Sequence, residues 1–278
     1  MRKNLILTLA VFLALPAFAQ LTLPRPSQKS VLTQRIGLTD VTITYSRPGV
    51  KGRRIFGGLV PFGKVWRTGA NEATTIAISD DVSINGKPLA KGTYSLHTIP
   101  TEGEWTLIFN KTADQWGSYS YDEKQDVLRV NVKPRASAMK REWMTFEVPE
   151  LSTDAATFIL GWDTLEVPFT VEAHTTEKVM SAASAAVAAA SADDWNTPLR
   201  AASFAFDNKL NADATKWLDQ SLKTKETISN LWLKARMQAA AGQKAEAVKT
   251  AERALTLKTD KDKELAEEIA RQSEAWKK

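Results

Sequence analysis

The densest gathering of chemically able side chains lies between Asp40 and Glu72. No acidic residue falls inside that interval, while Arg47, Lys51, Arg53, Arg54, Lys64 and Arg67 place six cations there. Guanidinium groups present a planar fork of donors that matches carboxylate, sulfate or phosphate. The interspersed Pro48, Gly49, Gly52, Gly57, Gly58, Pro61, Gly63 and Gly69 let the backbone turn tightly and offer N–H groups of its own. The chemistry implied is recognition of a small anion. The competing reading makes the same arginines internal struts, paired with carboxylates elsewhere or fixing loop carbonyls. Ile55, Phe56, Leu59, Val60, Phe62 and Val65 would then pin the segment to a core. No Gly-x-x-x-x-Gly-Lys-Ser/Thr pattern occurs, so the segment is not a nucleotide P-loop.

The run from Trp66 to Thr74, Trp-Arg-Thr-Gly-Ala-Asn-Glu-Ala-Thr, carries the richest mixture. Trp66 would stack on a ligand, Arg67 and Glu72 would clamp it or pair with each other, and Asn71 would orient either. A packed Trp beside a buried Arg–Glu pair is the alternative. The candidate ligand-binding set is therefore Arg47, Lys51, Arg53, Trp66, Arg67, Asn71 and Glu72, with His97 added as the one histidine inside a predicted strand.

Catalysis finds little material. There is no cysteine, which removes thiolate chemistry, disulfides and Cys-ligated metal sites. The two histidines, His97 and His174, stand apart from carboxylates at ligand spacing. His97 falls opposite Tyr94, Leu96 and Thr98 and reads as a satisfied strand histidine; His174 reads as linker. No Gly-x-Ser-x-Gly elbow presents a serine, and Asp80 and Asp81 lack the spaced ladder of a calcium loop. No catalytic residue, metal or cofactor is assigned. One enzymatic alternative stands: Glu102, Glu104 and Asp114 near Trp105 and Trp116 could serve a glycan-acting hydrolase or a carbohydrate-binding protein of the cell envelope.

The elements that must position these residues change character along the chain. From about residue 29 to 172, short runs rich in β-branched and aromatic residues predict strands over 30–36, 41–45, 74–79, 82–84, 93–99, 105–110, 127–132, 143–148, 157–162 and 167–171. Val41, Ile43 and Tyr45 alternate with threonines, as a half-solvated sheet requires. Asn85-Gly86 signals a type I′ hairpin. Strands without intervening helices predict an antiparallel sandwich or barrel. After it the chain turns helical, beginning with an Ala/Ser-rich stretch. Ala214, Trp217, Leu218, Ser221 and Leu222 recur as Ala247, Thr250, Ala251, Ala254 and Leu255, a shift of 33 residues. This pattern resembles tetratricopeptide repeats, most clearly over 231–257. Lys234, Ala235 and Thr259 depart from that family's usual Leu, Gly and Pro, and a generic Ala-rich bundle is the alternative.

The first 19 residues read as a secretory leader: Arg2 and Lys3, an apolar run from Leu5 to Leu15, then Ala17-Phe18-Ala19. Its loss would lower the net charge from +5 to +3. That charge is too small and scattered for a nucleic-acid partner, and no later apolar run is long enough to span a bilayer. A periplasmic or secreted location is expected.

Pro24-Arg25-Pro26-Ser27, Tyr45 to Arg53, Trp66 to Thr74, Gly92 to Leu96 and Glu104-Trp105-Thr106 together resemble the bacterial family known as domain of unknown function 2911, over roughly residues 24–172. The resemblance implies an exported β-rich domain, often followed by a helical tail, and implies no reaction. The expected architecture is an α+β multidomain chain: leader 1–19, antiparallel β-sandwich 20–172, linker helix 173–194, and a tetratricopeptide-like α-helical hairpin domain 195–278. The expected role is a non-catalytic binding or interaction module. It would take a small anionic or carbohydrate ligand on the strand domain and a protein or peptide partner on the helical tail.

Overall fold

A computed structural model describes residues 23–278, so the predicted leader lies outside the described residues. Strands occur at β1 (Gln28–Ile36), β2 (Thr39–Arg47), β3 (Thr75–Ile78), β4 (Val82–Ile84), β5 (Lys87–Leu89), β6 (Gly92–Ile99), β7 (Trp105–Asn110), β8 (Asp126–Val132), β9 (Arg135–Leu151) and β10 (Ala155–Glu172). They form two antiparallel sheets, one ordered β1-β2-β3-β6-β7-β8 and the other β5-β4-β10-β9. Asn85 and Gly86 both take positive φ, as the turn between β4 and β5 demands.

The space between the sheets is filled by alternate residues of facing strands. Val41, Ile43 and Tyr45 of β2 meet Phe146, Phe158 and Leu160 in one apolar cluster. Its aromatic centre is a stack of Trp66 on Trp162 with ring centroids 5.8 Å apart, and Phe56 stands edge-on to Trp66, Trp105 and Trp162.

The two ends of the larger sheet differ. On β2 buried and partly exposed residues alternate over Thr39–Ile43 and beyond, so its outer face meets water. On β6 five successive residues, Tyr94 to Thr98, are buried. Ile108 and Asn110, which pair with His97 and Ser95 on that outer face, are fully buried too. A second layer must cover this end, and residues 111–122 supply it.

The remainder is helical: α1 (Thr175–Ala189), α2 (Asn196–Asp207), α3 (Asn211–Thr224), α4 (Ile228–Ala240), α5 (Lys244–Leu255) and α6 (Lys263–Trp276). The residues of the 33-residue repeat occupy matching positions on α3 and α5, where Ala214, Trp217, Leu218 and Ser221 are buried, as are Ala247, Ala251 and Ala254. Trp232 and Trp276 stack at 5.4 Å and close the far end. No described helix is long and apolar enough to cross a membrane.

The sheets and helices are tied where β10 gives way to α1. Lys178 Nζ lies 2.6 Å from Asp80 Oδ2 and donates to the Asp81 carbonyl at 2.7 Å. Asp154 accepts from both the backbone N–H and the hydroxyl of Thr176. Gly37 in the β1–β2 turn sits so close to the Thr175 side chain that any Cβ there would overlap it.

Candidate ligand-binding site

The predicted cationic stretch divides into two structures. Its first half links β2 to the edge of the smaller sheet, where Val50 N–H donates to the Glu142 carbonyl and Met144 N–H to that of Pro48. Arg47 Nε donates to the Met144 carbonyl at 2.8 Å; Arg53 donates from Nε to Val50 O at 3.0 Å and from Nη2 to Gly49 O at 2.6 Å. Lys51 is exposed in a left-handed turn conformation, and its backbone N–H is held by Glu142 Oε1. These side chains fix a turn-rich connection whose carbonyls have no ladder partner.

The second half runs along β6. Trp66 exchanges both backbone hydrogen bonds with Thr98, and Leu96 N–H donates to Thr74 O. Residues 67–73 are an excursion from a line that would otherwise continue β3, closed by Thr74 N–H to Arg67 O at 3.1 Å. Because Trp66 pairs antiparallel with Thr98, Arg67 falls opposite His97 on the outer face. Trp66 takes the inner side, in the core, with Nε1 on the Gly69 carbonyl. It has no face for a ligand.

The excursion is zipped to the covering segment. Ala73 N–H donates to Gln115 O, Gly117 N–H donates to Asn71 O, and Glu72 bridges Trp116. Asn71 Nδ2 donates to Ser27 O at 2.9 Å, while Glu72 accepts from Arg25 at 2.6 Å and not from Arg67. That contact holds the Glu72 carboxyl below the usual carboxylate range. Arg25 also lies over the Trp116 ring, 5.5 Å from its centroid. Of the predicted set, Arg67, Asn71, Glu72 and His97 are thus brought to one end of the sheet, and Arg47, Lys51 and Arg53 are not.

What lies beneath the cover is polar and incompletely paired. His97 is fully buried, and neither ring nitrogen makes a well-formed hydrogen bond among the described residues, although the Gly117 backbone stands near enough to favour the charged ring in opposition to burial. Burial pushes its pKa down to about 4, so the ring is neutral at pH 7, with one donor and one acceptor. Gln115, also buried, gives its Nε2 to Ser95 Oγ and Thr112 O, and its Oε1 is unpartnered. Arg67 Nε is sealed without a partner, and no carboxylate pairs with this guanidinium. Burial lowers its pKa from the ordinary value, with the Tyr119 hydroxyl the opposing influence. Tyr121 packs its ring 5.1 Å from His97. Its hydroxyl bonds Asp126 Oδ2 and Arg129 Nη2, and burial, followed by Asp126, pushes the phenol up to about 12.

Beside this cover, on the solvated side of Gln115, a hollow of about 280 Å³ is floored by Thr44, Ser46 and Thr75 and rimmed by Lys29, Glu72 and Asp114. Sequence reasoning named neither Gln115 nor Tyr121. The readable signal was Leu107-Ile108-Phe109, an unbroken apolar run that needs cover on both faces of its strand.

The family model described as Protein of unknown function (DUF2911) matches residues 27–171, which is just over half of the chain and nearly all of the two-sheet unit. The chain belongs to this family. No curated protein and no solved structure matches it. The DUF2911 unit therefore takes its functional reading from its own geometry. The segment Pro24–Ser27, at the start of the matched span and just before it, meets Trp66–Thr74, far away in sequence, through the Arg25–Glu72 and Asn71–Ser27 contacts.

Proposed function

We propose that the protein is an exported, non-catalytic binding module whose DUF2911 unit holds a small anion at Arg67, beneath residues 111–122. One observation carries this reading: a partly buried guanidinium, with its Nε sealed and unpartnered, has no carboxylate beside it among the described residues. Burying such a charge without a counter-charge is costly, and a bound anion supplies what is missing. His97 supports it as a neutral donor across the register, and Gln115 offers an acceptor to any hydroxyl the ligand carries.

The same geometry speaks against an enzyme. A general base needs a nucleophile and an orienting carboxylate within hydrogen-bond reach, and His97 has neither. The glycan-acting alternative set Glu102, Glu104 and Asp114 beside Trp105 and Trp116; Trp105 is 1% exposed, in the core, Glu102 and Glu104 point to solvent, and the exposed face of Trp116 is taken by Arg25. In this reading the helical part is a tetratricopeptide-like tail for a protein or peptide partner, and the protein resides in the periplasm or outside the cell.

The test is the thermal melting of the protein in a series of sulfate or succinate concentrations, beside Arg67→Met. Stabilisation that rises with anion concentration in the wild type and is absent in the variant supports the reading. Equal behaviour of the two proteins removes it.

A further inference from the structure

The largest hollow described in the molecule, about 660 Å³, lies at the junction of the sheets and the helices, away from Arg67. One wall is the outer turn of the sheet, where Leu38 is 71% exposed. The others are α1, through Val179, Ala182, Ala183 and Ala186, and α2, through Phe204. The α1 positions share one face of the helix, from Thr175 to Ala186, a trough of roughly 16 Å. The junction is held by Lys178 on Asp80 and Asp81 and by Asp154 on Thr176, so the trough is a built feature and not a gap between loose parts. Thr175, which also lines it, is 4% exposed and its hydroxyl has no partner.

The chemistry of the walls selects the occupant. An extended peptide laid here would bring backbone N–H and C=O groups against a helix whose own groups are already bonded, and against a turn that presents no strand edge. An alkyl chain brings none. The rim holds two cations to one anion: Lys178 is neutralised by Asp80, and Arg200, exposed on α2, makes no ion pair among the described residues. We propose that this trough binds an amphiphile with an alkyl chain along α1 and a single anionic head group at Arg200.

Calorimetric titration of the protein with hexanoate, octanoate and decanoate tests this, with octanol as the uncharged probe. One molecule is expected to bind per chain, tightening roughly fourfold for each added methylene. Arg200→Gln is expected to keep that dependence on length and to lose a preference of about two- to fivefold for octanoate over octanol. Leu38→Asp, a change at an exposed turn, puts a negative charge into the trough and is expected to abolish binding while the melting transition stays in place. Ala183→Trp fills the trough and is a second route to the same loss. Affinity that ignores chain length, or that survives both Leu38→Asp and Ala183→Trp, overturns the proposal; so does absence of binding to the wild type.

Discussion

Two stretches of arginine-bearing chain, a dozen residues apart, have opposite fates here. Arg47 and Arg53 lie where backbone carbonyls lack strand partners, and their guanidinium groups donate to Met144, Gly49 and Val50, the last of which also accepts the Arg53 backbone N–H. Arg67 lies partly beneath a covering segment that seals its Nε from water, and no carbonyl or carboxylate completes that Nε. Residue type is the same in both, and so is the local wealth of glycine. What differs is whether the surrounding chain had acceptors to offer. A cation becomes a strut where it meets orphaned carbonyls, and a candidate site where burial outruns pairing.

The largest effect expected is at Trp66, which adjoins Arg67 in the second stretch but serves, like the struts of the first, to hold the fold. Trp66→Ala removes the ring stacked on Trp162 and is expected to destabilise the two-sheet unit by about 3–5 kcal/mol, read by chemical denaturation. A variant that keeps its stability but loses anion binding would move Trp66 to the ligand and erase the boundary drawn between the two stretches.

Next comes His97, whose pKa is depressed to about 4 by burial. Between pH 6.5 and about 4 the unfolded chain takes up a proton at this ring that the folded chain refuses. Stability is therefore complete above pH 6.5 and falls as pH drops to about 4, by about 3 kcal/mol. Comparing the wild type with His97→Gln across that window isolates the effect from that of the carboxylates. A wild-type slope no steeper than the variant's would mean that the ring finds a partner, and the site would lose one of its incomplete groups.

How much of this was legible in the sequence follows from where each signal resides. The alternation in β2 and the Asn85-Gly86 turn are local, and both appear as expected. β9 is longer than the predicted 143–148 because its first half is exposed and charged, so no apolar run marks it. The predicted strands 157–162 and 167–171 fuse into β10 through a bulged stretch around Asp163. β5, three residues containing Pro88, carries too little pattern to read. The set Arg67, Asn71, Glu72 and His97 was visible as residue types, but its cover was not. Whether His97 is satisfied depends on residues 111–122 folding back over β6, a long-range fact without periodicity. The same holds for Glu72, whose partner proved to be Arg25, 47 positions away. Trp116 and Trp143 are 55% and 44% exposed, so aromatic type alone does not place a ring in the core.

A smaller effect is expected at Arg53. Arg53→Ala takes two donors from the carbonyls of Gly49 and Val50 at a partly wet turn, for a loss of about 1–2 kcal/mol in denaturation, with anion-dependent stabilisation unchanged. Loss of that stabilisation would instead tie the two stretches into one site.

The smallest stability change, and the one that separates the stretches by sign, is at Arg67. Methionine keeps most of the apolar stem and removes a charge that has no opposite beside it. Where an arginine is a strut, truncation leaves carbonyls unpaired and lowers stability; where it is itself the unpaired group, removal relieves a desolvation penalty. Without added anion, Arg67→Met is therefore expected to match or exceed the wild type, by up to about 1 kcal/mol. With saturating sulfate or succinate the order should reverse, because only the wild type gains from binding. A variant less stable than the wild type in anion-free buffer would place Arg67 with Arg47 and Arg53, since a group whose loss weakens the empty fold was already paired within it.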